Sequence, residues 1–242
     1  MALTDEQILY NEALGIIGEN EITEGTSTAE KNHALCIRFY ERARDEVLAM
    51  HPWNEAVTQS VVLEQTTMPL FDYSYKYAVP SDCLRVLSIG TDTEDWQVQG
   101  SYIVTDFRKM PPEYTIDEYY EAGQYISYSD VTYLVDTAFT ASDWTTDLAA
   151  YLTTQTDDYG YINLTYVKQL TDIDSFSAKL RNAIAYKLAI KIVIPITQDR
   201  KAKVDLVNEF ERIVMPQARG IDGMQGRLKP IYDSKWIRSR SS

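Results

Sequence analysis

Histidine and cysteine are scarce in this chain, two of each in 242 residues. Cys36 and Cys83 lie far apart and outside any CxxC pattern, which argues against a disulfide framework or a cysteine zinc site and leaves two reduced packing cysteines. His33, early in a helix, is expected to be exposed. His51 precedes a proline at a helix end and is expected to be structural, because histidine catalysis also needs a positioned nucleophile or acid, and none stands nearby. No apolar run reaches the roughly 18 residues that a membrane-crossing helix needs. Met1–Gln7 lacks the basic start and apolar core of a signal peptide, so a cytosolic origin is expected. GxxxxGK[ST], GxGxxG after a strand, HExxH and GxSxG are all missing. No catalytic residue, cofactor or metal ligand is therefore expected.

Positive charge is the next scarcity. Between Thr91 and Gly160 fourteen acids face only Arg108 and Lys109, nearly the whole of the net charge of −13. Such a stretch repels phosphates, which excludes sequence-independent nucleic-acid binding through it. From Arg227 the balance reverses: Arg227, Lys229, Lys235, Arg238 and Arg240 oppose the single acid Asp233. Glu113, Asp117, Glu118 and Glu121 offer the carboxylates of a glycosidase only if a helix places them on one face, so a solvated acidic surface is the simpler reading. Eighteen tyrosines and four tryptophans are more than one core of this size needs. Ring plus polar tip suits interfaces, and it also suits small β domains.

The periodicity changes twice along the chain. Thr4-Asp-Glu-Gln7 has the form of a capping box, ahead of an apolar stripe through Ile8, Leu9, Ala13, Ile16 and Ile17. Ser27-Thr-Ala-Glu30 reads as a second box, opening a helix to Met50 that His51-Pro52 stops. Strands are expected at 56–63, 75–79, 84–89, 96–104 with a hairpin turn at Gln99-Gly100, and 161–168. Pro80 to Cys83 reads as a turn between two strands. Gly123 to Val135 alternates like strands, and Asp143 caps a short helix carrying Trp144, Leu148 and Tyr151 or Leu152 on one face. Helix returns at 174, capped by Asp174 or Ser175, with Leu188–Ile194 apolar nearly all round. Pro195 is expected to interrupt it, Thr197-Gln-Asp to restart it, and Gly220, Gly223 and Gly226 to end regular structure. The expected fold class is α+β: a helical bundle from residues 1–55 and 170–226, an inserted β-rich domain at 56–169, and an extended arm at 227–242.

Seven stretches, in order, carry a resemblance: His51-Pro-Trp-Asn54, Pro80-Ser-Asp-Cys-Leu-Arg-Val86, Ile103 to Asp106, Ile162 to Val167, Asp174 to Phe176, Pro195-Ile-Thr-Gln198 and Ser234 to Arg240. Together they resemble the tail tubular protein A family, the head-to-tail adaptors of short-tailed bacteriophages, across almost the whole chain. The departure from that pattern is the acidic, tyrosine-rich block at about 107–160, where relatives pass between strands within a few residues. The resemblance implies a structural virion protein of the tail or neck, assembled in the host cytoplasm. It implies a dodecameric ring of copies of this chain, joined to the portal protein above and to the tail nozzle below, with tail fibres or other tail proteins as further contacts. Genomic DNA would pass through its lumen without specific binding. The arm would order on the portal or a neighbouring copy, with Trp236 and Ile237 as apolar anchors and Arg238 and Arg240 as charged clamps. The alternatives are a tail-associated glycan hydrolase, with the acidic block as its catalytic part, and a ring protein at another level of the tail.

Overall fold

The computed structural model describes residues 3–23, 26, 27, 30–90, 94–129, 131–154 and 160–224. It is a mixed α+β structure with helices toward both ends. It divides into two compact units, one from the described residues of Met1–Val57 and Lys168–Ser242, the other from Thr58–Val167.

The helical unit opens with α1 (Asp5–Ile17), whose capping box is formed: Thr4 accepts from the Gln7 amide while the Gln7 side chain accepts from the Thr4 amide. Gly18, left-handed at φ 75°, closes it. The second helix, α2 (Lys31–Met50), corrects the expected start. Glu30 is its N-cap and gives no side-chain cap, so the Ser27 box does not form. His33 is also corrected: it is buried, edge-on to Tyr10, on the face that carries Cys36, Tyr40, Ala43 and Val47.

Past Lys168 a short 3₁₀ turn (Ile173–Ser175) precedes α4 (Ala178–Thr197). Asp172 caps the turn and Ser177 caps the helix, in place of the expected Asp174 or Ser175. Pro195 does not break α4. The helix runs two residues beyond it to Thr197, whose Oγ1 donates to the Val193 carbonyl. The break falls at Gln198, left-handed at φ 58°. Asp199 then caps α5 (Arg200–Glu209), which continues through a π-helical turn (Phe210–Val214) into α6 (Met215–Met224). Gly220 and Gly223 therefore lie inside a helix. The apolar run Leu188–Val193 is largely buried as α4 packs on α1 and α2. Across α2 and α4, Glu46 meets Lys191 at 2.6 Å and Lys187 at 3.3 Å. Burial alone would raise the Glu46 carboxyl; the two ammonium groups outweigh it and hold it below the usual range.

The second unit holds β1 (Val57–Leu63), β2 (Tyr75–Ala78), β3 (Cys83–Ile89), β4 (Trp96–Gln99), β5 (Tyr102–Thr105), β6 (Tyr119–Tyr120), β7 (Tyr125–Tyr128), β8 (Val131–Val135), β9 (Phe139–Thr140), α3 (Trp144–Tyr151), β10 (Leu152–Thr154) and β11 (Tyr161–Lys168). Their sheets run β1-β11-β3, β2-β5-β4, β10-β8-β7 and β6-β9. The hairpin at Gln99-Gly100 is present, with Gln99 opposite Tyr102 and Gly100 at φ 61°. Pro80 to Cys83 is a turn closed by Cys83 N to Pro80 O, yet it joins strands of different sheets. One core gathers Tyr77, Ile89, Ile103, Ile162, Leu164 and Tyr166. The acidic block builds a second core of Tyr114, Tyr120, Ile126, Tyr133, Val135 and Phe139, against which Trp144, Leu148, Tyr151 and Leu152 pack.

Candidate interaction surfaces

The four residues expected to bind portal or neighbour, Trp236, Ile237, Arg238 and Arg240, lie outside the described residues. What the helical unit does show is how the chain leading to them is held. Pro52 ends α2, and the next residues form a receptor for α6. Trp53 is fully buried and donates its indole N–H to the Val47 carbonyl at 3.0 Å. Asn54 donates its backbone amide to Asp222 Oδ1 at 3.0 Å and its side-chain amide to the Asp222 carbonyl at 2.6 Å. His51 Nε2 lies 2.8 Å from Asp222 Oδ2. The buried Asp222 carboxylate thus has both oxygens engaged, and Arg219 reaches the Met50 carbonyl one turn earlier. The motif His51-Pro-Trp-Asn54 is a clasp on α6, two residues before that helix ends at Met224. Sequence reasoning missed Asp222, because an aspartate between two glycines reads as a turn.

The acidic block places its carboxylates in two environments. Glu113, Asp117, Glu118 and Glu121 are all exposed, on loops and short strands and not on a helix, with Asp117 left-handed at φ 68°. Asp147 is buried instead. It accepts from the Tyr114 hydroxyl at 2.6 Å, from the Ser142 amide at 2.8 Å and from the Ser142 hydroxyl at 3.1 Å. Burial pushes its carboxyl up; these hydrogen bonds outweigh that and hold it below the usual carboxylate range. Its partner, the Tyr114 phenol, is pushed well above its ordinary value, first by burial and then by the bond to Asp147. Tyr114 also stacks on Tyr120, while Trp144 stacks on Tyr128 at 3.9 Å. Among the described residues eight tyrosines are buried, so much of the aromatic surplus fills cores and is not surface.

Both cysteines behave as packing residues. Burial pushes the Cys36 thiol up to about 12 and raises Cys83, which weakens thiolate chemistry at either. No group of three His, Cys, Asp or Glu able to hold a metal occurs among the described residues. Among the same residues, no helix is long and apolar enough to cross a membrane.

Two surface features stand apart. The β1–β2 loop carries Met68, Leu70 and Phe71 at 73, 95 and 72% exposure, three large apolar side chains within four residues. On the helical unit, a groove of about 340 Å³ runs between the ends of α1 and α4 and the flank of α5. Neither a scan against protein-family models nor a search of curated proteins finds a match to this chain.

Proposed function

We propose that this chain is a head-to-tail adaptor, a structural subunit whose copies close into a ring between a portal and a tail and continue the DNA channel. Its bundle of N- and C-terminal helices would form the ring wall through α2 and α4, and the β-rich residues would form an inserted domain. The supporting observation is the clasp between His51-Pro-Trp-Asn54 and Asp222. One of the stretches that resemble the adaptor family holds α6, and residues 227–242, which contain another resembling stretch, follow that helix in sequence. The exposed Met68, Leu70 and Phe71 are a second support, since contiguous apolar side chains at a loop tip suit a contact with a neighbour. The excess of carboxylates over cations would keep passing DNA from adhering to the lumen. The hydrolase alternative asks for Glu113, Asp117, Glu118 and Glu121 on one helix face, and since they do not lie on a helix, no specific observation favours it.

Electron microscopy of the purified chain, alone and with the portal protein, tests the reading. Closed rings that stack on the portal are expected. A monomer that ignores the portal at micromolar concentration overturns it.

A further inference from the structure

The groove on the helical unit has an apolar floor of Ile16, Ile17, Val193 and Leu206 and an acidic rim that includes Asp205 and Glu209. Asp205 and Glu209 are exposed, and Glu209 is steadied by the Tyr186 hydroxyl at 3.1 Å. Apolar side chains lining an open groove beside carboxylates suit a basic segment with spaced apolar anchors. In a chain of net charge −13, residues 227–242 answer that description: five cations against one acid, interleaved with Ile231, Tyr232, Trp236 and Ile237. We infer that the α1/α4/α5 groove receives residues 227–242 of a second copy of this chain.

Reach favours a second copy over the same chain. From Ala202–Leu206, at the groove, the chain runs helically to Met224, which at about 1.5 Å per residue puts the helix end roughly 27–33 Å away. Residues 225–231 span at most about 25 Å when fully extended. Ile231 therefore falls short of the centre of its own groove, and only the Trp236–Ile237 pair could arrive there. A segment from another copy has no such limit and can present either apolar pair to the floor. Because donor segment and receiving groove differ, the contact is heterologous and passes from copy to copy, as a ring requires.

This inference rests on the adaptor reading for its role and is tested separately from it. Two full-length double variants are made, Arg238→Glu with Arg240→Glu, and Asp205→Lys with Glu209→Lys; all four positions are charged and the two groove positions are exposed, so folding is retained and is checked by circular dichroism. Sedimentation velocity should show self-association in the wild-type chain and about tenfold or greater weakening in each variant alone, since reversed charges repel across the contact. Mixing the two variants should restore association, because native and swapped charge pairs are both available between unlike copies. Wild-type chain that stays monomeric, variants that associate normally, or a mixture that restores nothing would each overturn the inference. Rings formed on the portal by both variants would sink it and leave the adaptor reading standing. Restored pairing without any closed ring would do the reverse.

Discussion

Asp222 ties the end of α6 to the residues that follow α2. It is buried, and its carboxyl oxygens take His51 and Asn54 while its own carbonyl takes Asn54 again. Replacing Asp222 with Ala leaves the Asn54 amide without its acceptor. The expected cost is about 2 kcal/mol, since the bonds from His51 and from the Asn54 amide are both lost, at about 1 kcal/mol each. Because the chain has two units, global unfolding is a poor probe. Hydrogen exchange of α6 amides is the better one, and it should quicken by roughly thirtyfold. Unchanged protection would show that α6 is held by packing alone.

Asp147 gives a pH prediction with a defined sign. Its folded carboxyl lies below the ordinary value, so ionised Asp147 favours the folded block at pH above that value. That stability is lost as pH falls through the folded value, below about pH 4. Trp144 stacks on the same core and reports it. Acid titration should therefore change Trp144 fluorescence in the wild-type chain, and Asp147→Asn should remove that acid step while lowering stability at neutral pH. At Gly90, φ is 52° and an added Cβ would stand 2.6 Å from Phe107 Cε1. Gly90→Ala pays for both the left-handed backbone and a displaced ring, and about 2–3 kcal/mol is expected by urea unfolding of the β-rich unit.

Elements were legible wherever a local rule acted alone. The Thr4 capping box, the stop at Pro52, the Asp143 cap on α3 and the span of β11 all stand as the residues suggest, because each depends on neighbours within a few positions. The misreadings fall where distant residues decide. Gly220 and Gly223 look like terminators, but α6 is anchored through Asp222 and Arg219, and this tertiary support overrides glycine's poor helix propensity. Pro195 stays helical where the packing of α4 on α1 and α2 overrides proline's poor helix propensity, and His33 is buried because α1 brings Tyr10 against it. The candidate site divides the same way: the motif at His51 was visible, its partner 171 positions later was not. One consequence is testable on α6 itself. A Cβ at Gly220 would meet nothing within 4 Å. Gly220→Ala should stabilise α6 by about 0.5–1 kcal/mol, through the backbone freedom it removes from the unfolded chain. Slower exchange in α6 is the readout; faster exchange would mean that the open space is needed by a bound neighbour or that the helix is strained there.

At the scale of the whole molecule, the proposed ring raises the question of how copies carrying a net charge of −13 would come together. Like charge opposes association, so the contacts must be apolar or locally complementary. The chain offers one of each: the loop tip at Met68, Leu70 and Phe71, and the acid-rimmed groove. Salt separates them, because screening weakens complementary charge pairs and relieves general repulsion. Leu70→Asp with Phe71→Asp should leave the fold within about 0.5 kcal/mol of wild type, since both side chains already face water. If the loop tip is a contact of the proposed ring, the same change adds two charges to it, so ring formation seen by electron microscopy should fall sharply, and raising salt should recover only part of it. If this variant closes rings as readily as the wild-type chain, the loop tip faces the channel or another protein, and the subunit contact must then be carried by the helices.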